Sequence, residues 1–267
     1  MSDLPTPTSR VGSSSPTSTG TDSAVSSLPS SASSPFPSPW GITALETFAG
    51  LFAAAIHDYC HPGTSNAHEI GRDSELAVRY HDESVLESHH LACAFSCLLE
   101  PQHRFLASWD REAYMTFRKL VVKLVLRTDL SKHFDFIACQ NRKQEGSSLP
   151  TSNPEASLIL SLAIKGADLG HSIKPWSLHH AWTQRVTQEF YALGDLERAA
   201  DLPISPFCDR TRDVDLAKSQ QGFLKYVCRP FFMVVKRVLP STFSSLAVER
   251  LDANLSKWAT YSTTPDW

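Results

Sequence analysis

The chain has 267 residues, 42% of them hydrophobic, so it is long and apolar enough to form a buried core. Its net charge of -3 gives no electrostatic reason to expect binding to nucleic acid or to an anionic membrane. The six cysteines form no C-x-x-C pair and follow no signal peptide, which favours reduced thiols in a cytoplasmic protein over a disulfide framework.

Residues 1–40 are dominated by Ser, Thr and Pro and offer almost no side chain that a core could bury. Such a segment cannot offset the entropy lost on ordering, so we expect a disordered tail. It has neither the basic residues of a transit peptide nor the apolar core of a secretion signal. The longest apolar run nearby, Phe48 to Ile56, is too short for a membrane span of about 20 residues, and we expect none.

Amphipathic segments of helical length follow from residue 41, and strand-like alternation is scarce, so the sequence predicts an all-α fold. The first predicted helix carries apolar residues from Leu45 to Ile56 and has His57 and Asp58 on its last turn. Polar side chains on a buried helix normally persist only when they are paired or bind a metal. These two residues are therefore candidate ligands of a divalent ion.

The later helices are predicted from the same periodicity and from caps and breakers. We expect Gly194 and Asp195 to close one of them, Pro230 to kink or break the last, and residues 140–154 to form a polar loop. Asp168 repeats the pattern of the first helix, because it is a carboxylate at the end of an apolar segment. Together with His57 and Asp58 it suggests a metal site. The predicted spans are 74–99 with a break near 80–82, 110–126, 154 to about 168, 178–193 and 214–227.

Residues 53–66 (AAAIHDYCHPGTSN) are the first of six ordered motifs. They closely resemble the metal motif of the class I 3',5'-cyclic nucleotide phosphodiesterases, and the other five motifs follow in the order and spacing of that family. The likeness extends from about Ile42 to Trp258. It implies the compact multi-helix catalytic domain of the family, an HD-type metal phosphohydrolase fold, over residues 41–260. The other motifs are 80–90 (YHDESVLESHH), 128–133 (TDLSKH), 167–169 (ADL), 204–209 (ISPFCD) and 218–223 (KSQQGF).

The resemblance implies that His57, Asp58 and Asp168 ligate a zinc ion, and that Asp58 also bridges to a second divalent ion, magnesium or manganese. The hydroxide between the two metals would open the cyclic phosphate of cAMP or cGMP to a nucleoside 5'-monophosphate. Four further residues match positions that hold metal-bound waters or support the ligands. They are His61, Glu87, His90 and Thr128.

For the base of the nucleotide, Gln220 resembles the purine-reading glutamine of the family, while Phe223 and Val186 resemble the two apolar faces that clamp the ring. A primary amide suits that role because it presents both a donor and an acceptor. His171 and Leu130 also match substrate-binding positions. From periodicity alone, Phe223 and Val186 would be core residues and Gln220 an exposed helix residue.

The sequence departs from the family pattern before His57. The family's H-N-x-x-H-A segment, which supplies the general-acid histidine and another zinc ligand, has no counterpart here, and we expect the domain to lack its N-terminal helices. One alternative is therefore a catalytically weak or inactive relative that binds metal, nucleotide or a partner. A third reading, an HD-type phosphohydrolase acting on other nucleotides, is disfavoured by residues 220–223 (QQGF).

His171 and residues 174–179 (KPWSLH) resemble the calmodulin-regulated, dual-specificity members more than the cAMP-selective ones, whereas Val186 fits either group. The calmodulin-binding region of those members would lie upstream, and we do not expect it in this chain. The resemblance implies a cyclic nucleotide as the ligand. A homodimer is an allowed assembly.

Overall fold

The computed structural model describes residues 40–145, 155–212, 215–239 and 241–261, and every regular element in these ranges is helical. The predicted all-α fold is therefore confirmed. No helix in these ranges is long and apolar enough to cross a membrane. The α-helices are α1 (Ala44–Ile56), α2 (Asn66–Gly71), α3 (Glu75–Tyr80), α4 (Val85–Leu99), α5 (Arg111–Val125), α6 (His133–Glu145), α7 (Ala156–Asp168), α8 (Trp176–Ala199), α9 (Leu216–Gly222), α10 (Arg229–Val238) and α11 (Thr242–Thr260). The 3-10 turns are Pro101–His103, Leu130–Lys132 and Leu169–Ile173, and a π-helical segment, Phe223–Cys228, joins α9 to α10.

Some of the expected features fall outside the described residues. The predicted disordered tail, residues 1–40, does so except for Trp40. Residues 146–154 of the predicted polar loop and Val214 at the expected start of the last helix do so as well. The tail and this part of the loop stay predictions.

The described part of that loop corrects the expectation, because α6 continues through residues 140–145. The Asn141 side-chain oxygen accepts a hydrogen bond of 2.7 Å from the Arg237 guanidinium of α10. Residues 140–145 are polar, which favoured a loop, but hydrogen bonds to a neighbouring helix can stabilise a helical turn that has no apolar face.

An N-terminal core cluster forms between α1, α4 and α5. A capping box starts α1. The Thr43 hydroxyl accepts a hydrogen bond from the Glu46 backbone N–H, and the Glu46 carboxylate accepts one from the Thr43 backbone N–H. The helix then buries Ala53 completely and packs the Phe52 ring 5.3 Å from the Phe117 ring of α5. These contacts fix where the C-terminal end of α1 lies.

A second core cluster contains α9, α10, α11 and the π-helical segment, and α7 belongs to both clusters. Leu162 of α7 packs in the second cluster and Ile164 packs in the N-terminal one. Because α7 also contacts α1 directly, its last residue, Asp168, is brought toward the end of α1. The core packing therefore positions the two predicted halves of the metal site.

Lys165, near the end of α7, is a lysine buried within the fold, with 1% of its surface exposed. Its ammonium donates to the carbonyl oxygens of Arg127, Thr128 and Asp129, at 3.1, 3.3 and 3.4 Å. These carbonyls follow α5 and have no partner inside that helix, which is how a buried ammonium is tolerated. The contact anchors the segment after α5 to α7.

The predicted end of α8 is wrong, since the helix runs on to Ala199 and Gly194 lies inside it. A Cβ atom at Gly194 would overlap the backbone carbonyl of Cys208. The glycine therefore allows the following loop to approach the helix. Glu197 holds the same loop by accepting hydrogen bonds from the backbone and hydroxyl of Ser205, at 2.7 and 2.6 Å.

The C-terminal part contains a helix that the sequence reading missed. Helical backbone continues from α9 through the π-helical segment into α10, so the distortion expected at Pro230 lies just before it. α11 then follows, started by a Ser241 cap. Its buried residues recur at helical spacing, so the signal was present in the sequence: Ala247, Val248, Leu251, Asn254 and Trp258.

The close approach at Gly194 predicts that Gly194→Ala destabilises the protein by about 1–3 kcal/mol, although alanine is the better helix former. The added methyl group would have to displace backbone of the residue 208 region. Urea unfolding followed by circular dichroism measures this change. The matched control is Gly71→Ala, where a Cβ atom meets nothing within 4 Å. Equal stability of the two variants would contradict the steric role of Gly194.

Replacing the buried ammonium should also be costly. We expect Lys165→Met to lower the free energy of unfolding by about 2–4 kcal/mol, because methionine fills the space but removes the three hydrogen bonds that the ammonium donates. The control is Lys236→Met on the exposed surface of α10. Chemical denaturation of both variants decides the point, and a neutral Lys165→Met would show that the carbonyls find other donors.

Candidate metal and nucleotide site

His57 lies at the meeting point of α1 and α7. Its Nε2 atom is 3.2 Å from Asp58 Oδ2 and 3.7 Å from Asp168 Oδ1. α1 ends at Ile56, so His57 is its C-cap residue and Asp58 lies in the turn beyond, slightly later than the last helical turn predicted from the sequence. The structure brings the three predicted metal ligands together.

The His57 ring is oriented by its other nitrogen, because Nδ1 donates to the Ala54 carbonyl at 2.9 Å. The neighbouring carboxylates of Asp168 and then Asp58 raise the pKa of His57 to about 10, against the opposing effect of burial. The same His57 interaction lowers the pKa of Asp58. Without a metal, a His57 imidazolium therefore lies between the two carboxylates and offsets part of their negative charge.

The expectation that these donors are buried is wrong. The side chains of His57, Asp58 and Asp168 expose 26%, 61% and 32% of their surface. The apolar face of α1 is buried, but its C-terminal end and the following turn reach solvent. The three donors therefore form an open face that a ligand can approach.

Two of the predicted supporting residues lie next to this face, one buried and one exposed. His90 is buried, donates from Nδ1 to the Tyr59 carbonyl at 2.8 Å, and places Nε2 3.8 Å from Asp58 Oδ1. Burial lowers the pKa of His90, which favours a neutral ring. The exposed His61 stacks on it with ring centroids 5.4 Å apart, and accepts at Nδ1 from the Gly63 backbone.

Glu87, on α4, is held by Asn66 at the start of α2. The Asn66 amide donates to Glu87 Oε2 at 3.0 Å and accepts from the Leu86 backbone at 2.8 Å. Burial raises the pKa of Glu87, and the nearby Asp129 and Asp58 act in the same direction. Asn66 belongs to the first motif, but sequence reasoning assigned it no role.

Thr128 is buried, and its hydroxyl donates to the Val125 carbonyl at 2.8 Å. Its neighbour Asp129, which sequence reasoning did not single out, accepts from the Ser84 hydroxyl at 2.7 Å and from the Ser131 backbone at 2.8 Å. Burial acts to raise the pKa of Asp129, but these hydrogen bonds outweigh it and the net shift is downward. A charged, buried Asp129 thus lies near Glu87 and Lys165.

The described residues contain no group of three or more His, Cys, Asp and Glu side chains already arranged as a metal site. The donor chemistry nevertheless fits a divalent cation, because an imidazole nitrogen and carboxylate oxygens suit such ions. Asp58, Glu87, Asp129 and Asp168 also crowd negative charge into one region. A bound cation would replace the proton that His57 carries in its absence.

A cavity of about 720 Å³ lies beyond the end of α7, between α8, α9 and the π-helical segment. We call the open face formed by His57, Asp58 and Asp168 the metal face, after its predicted ligand. The cavity adjoins it along the chain, because Asp168 ends α7 and His171 lies in the 3-10 turn that follows directly. The predicted base-binding residues His171, Val186, Gln220 and Phe223 all line this cavity. The other lining residues are Thr183, Phe190, Phe207, Asp215, Lys218, Ser219, Gly222 and Val227.

Two contacts order the polar and aromatic parts of the cavity. The Thr183 hydroxyl donates to Gln220 Oε1 at 3.4 Å, which leaves the amide NH₂ group available to a ligand. The Phe223 ring lies parallel to the His171 ring, at 8° and 5.9 Å between centroids. Thr183 was missed from sequence, since a buried threonine on a helix carries no distinctive pattern.

One predicted substrate contact is not brought to this cavity. Leu130 is 51% exposed in the 3-10 turn after α5 and is not among the lining residues. A second cavity, of about 600 Å³, lies between α1, α4 and the Pro101–His103 turn. Its lining is largely apolar and includes none of the predicted site residues, so the cavity of about 720 Å³ is the candidate site for the base.

Comparison with known proteins points to one family. Residues 37–248 match the family described as 3'5'-cyclic nucleotide phosphodiesterase. A probable 3',5'-cyclic-AMP phosphodiesterase of Caenorhabditis elegans is 40% identical over 197 residues, covering 71% of this chain and 29% of its own length. The dual specificity calcium/calmodulin-dependent 3',5'-cyclic nucleotide phosphodiesterase 1C of Mus musculus is 40% identical over 210 residues, covering 78% and 29%. The chain thus spans less than a third of either relative.

The fold gives the same answer. The phosphodiesterase domain of the RhoPDE fusion protein from the choanoflagellate Salpingoeca rosetta superimposes with a TM-score of 0.74 and 30% identity, over 82% of this chain and 69% of that one. The resemblance carried by the six motifs is therefore confirmed. The chain belongs to the 3',5'-cyclic nucleotide phosphodiesterase family.

Proposed function

We propose that the chain hydrolyses 3',5'-cyclic nucleotides, cAMP or cGMP, to nucleoside 5'-monophosphates. The observation that carries this proposal is the continuity of α7 with the next 3-10 turn, which places Asp168 of the metal face three residues from His171 of the cavity. A cyclic nucleotide has a phosphate that needs a metal and a flat base that needs an apolar cavity. The short Asp168–His171 segment offers both.

The proposed cofactors are a zinc ion and a magnesium or manganese ion, with His57, Asp58 and Asp168 as protein ligands. Bound divalent ions would lower the pKa of a water nucleophile and neutralise charge on the phosphoryl oxygens. The protein's own part is orientation. The Ala54 carbonyl aims His57 Nε2 at the site, and the Tyr59 carbonyl does the same for the proposed supporting residue His90.

The other supporting residues would donate hydrogen bonds to phosphate or water, or accept them from water. His61 accepts at Nδ1, so its neutral ring carries the proton on Nε2 and can donate it to a phosphate or a water. Glu87 is fixed by Asn66 and is suited to accepting hydrogen bonds from metal-bound water. The Thr128 hydroxyl donates its proton to the Val125 carbonyl, so its oxygen is left to accept a hydrogen bond from metal-bound water.

For the base, we propose that Phe223 and Val186 enclose the ring from its two faces while Gln220 reads its edge. Support comes from their common place in the cavity and from the fixed Thr183 contact to Gln220. A cytoplasmic location and a homodimer remain expectations from the sequence. The related proteins include a cyclic-AMP enzyme and dual-specificity enzymes, so both nucleotides are proposed as substrates.

The metal assignment predicts that Asp168→Ala lowers kcat/KM for cAMP and cGMP at least about a hundredfold, since loss of a direct ligand should exceed the effect of losing a supporting residue. Product formation is measured by chromatography with zinc and magnesium present, and a chelator should abolish it. The control is Asp252→Ala on α11, which removes a carboxylate that pairs with Arg229 of α10. Undiminished turnover in Asp168→Ala would refute the ligand assignment.

The base assignment predicts a different kinetic signature for Phe223→Ala. Loss of base stacking should raise KM about 5- to 150-fold while kcat changes less, because the phosphate end is untouched. Phe243→Ala, at an exposed phenylalanine of α11, is the control. An unchanged KM in Phe223→Ala would place the base outside this cavity.

A further inference from the structure

Three cysteines lie together beside the turn that follows Asp58. Cys60 belongs to that turn and is exposed, while Cys93 and Cys97 are half-buried on α4. All three are free thiols. They are not among the proposed metal ligands, and they do not line the base cavity. The proposed function therefore leaves this cluster without a role.

The turn is held against α4 by the neighbours of Cys60 on both sides. The Tyr59 carbonyl accepts a hydrogen bond of 2.8 Å from His90 Nδ1, and the His61 ring stacks on the His90 ring with centroids 5.4 Å apart. Cys93 follows His90 by about one turn of the same helix. The backbone of Cys60 is therefore fixed beside the part of α4 that carries Cys93.

The thiols of Cys60 and Cys93 are neighbours across this contact. Burial and then the Cys60 thiol raise the pKa of Cys93. The Cys60 backbone has a φ of 62°, in the left-handed region that a residue with a Cβ atom adopts only where its surroundings impose it. The turn thus fixes the direction in which the Cys60 side chain leaves the backbone.

Cys97, one turn further along α4, has other contacts. Its Sγ atom lies 3.4 Å from His103 Nδ1, and it lines the apolar cavity of about 600 Å³. Cys93 is therefore the partner that the structure favours for Cys60.

His89 places a base beside the sulfur of Cys93. The Cys93 Sγ atom is 3.6 Å from Nε2 and 3.7 Å from Nδ1 of His89, which precedes it by one turn of α4. A cysteine attacks as its thiolate, and an adjacent imidazole can take the proton. Cys93 can therefore react although burial raises its pKa.

We propose that Cys60 and Cys93 are a modification site, at which hydrogen peroxide forms a reversible disulfide between the turn after Asp58 and α4. The exposed Cys60 sulfur attacks one peroxide oxygen and breaks the O–O bond, which gives a sulfenic acid at Cys60 and one water. Cys93, after giving its proton to His89, attacks the Cys60 sulfur. The S–S bond forms, the S–O bond breaks, and the leaving hydroxide takes that proton as a second water.

The disulfide would change the shape of the turn. A disulfide holds its sulfur atoms about 2.05 Å apart, closer than two free thiols can approach, so closing it pulls the turn toward the packed helix α4. Asp58 and His61 flank Cys60 in this turn and would move with it. The expected consequence, lower turnover in the oxidised chain, rests on the proposed function. The disulfide itself does not.

The pairing is measured by peptide mapping of the full chain after treatment with hydrogen peroxide and alkylation of the remaining thiols. Chymotrypsin cuts after Phe95 and so separates Cys93 from Cys97. Mass spectrometry should find a cross-linked peptide that joins Cys60 to Cys93, and a phosphine reductant should remove it. A Cys60–Cys97 disulfide, or no disulfide at Cys60, would overturn the proposal.

The effect on turnover is measured with zinc and magnesium present. Oxidation should lower kcat/KM for cAMP and cGMP about 10- to 100-fold, because small displacements of oriented groups are costly, and reduction should restore it. Cys93→Ser should abolish both the cross-link and the response to peroxide. Cys139→Ser, at a half-buried thiol of α6, is the matched control and should keep both. A response to peroxide that persists in Cys93→Ser would refute the regulatory role.

The outcomes separate this proposal from the proposed function. A Cys60–Cys93 disulfide in a chain that hydrolyses no cyclic nucleotide would support the thiol pair and count against the proposed function. Hydrolysis by a chain in which peroxide leaves the two thiols unlinked would do the reverse. If Cys93→Ser fails to fold, the peptide map of the unmodified chain still decides the pairing.

Discussion

The ammonium of Lys165 is the contact on which the arrangement of the site depends. It lies near the end of α7, the helix shared by both core clusters, and binds three carbonyl oxygens of the segment that follows α5. That segment carries Thr128 and Asp129, while α7 carries Asp168. A buried cation is tolerated only where such oxygens surround it, so the local sequence after α5 and the position of α7 constrain each other. The metal face is assembled where these elements meet α1.

The site itself is built from the ends of helices. His57 caps α1, Asp168 ends α7, and His171 lies in the turn that follows, so functional groups occur where backbone leaves the packed helices. This explains how a largely apolar helix can present charged donors at an open face. It also explains why α11 matters, because Asn254 and Trp258 hold a turn that has little packing of its own.

Much of this arrangement could be predicted from sequence, for physical reasons that differ between elements. α5 buries one face at regular spacing, so periodicity predicted it, and family resemblance in the six motifs supplied the proposed metal ligands and the proposed base-binding residues. The end of α8 was predicted wrongly because a glycine can mark either the end of a helix or a close approach of another segment to the helix. Only the position of the Cys208 backbone beside Gly194 distinguishes the two. The roles of Lys165 and Asp129 depend on contacts with segments 36 and 45 residues away, which no local pattern reveals.

The most direct test is a crystal structure of the chain grown with zinc and a nucleoside 5'-monophosphate, using anomalous scattering to locate the metal. Our account predicts a zinc peak in contact with His57, Asp58 and Asp168, the phosphate beside it, and the purine ring against Phe223 within reach of Gln220. A metal bound elsewhere, or a nucleotide whose base lies outside the cavity, would contradict it.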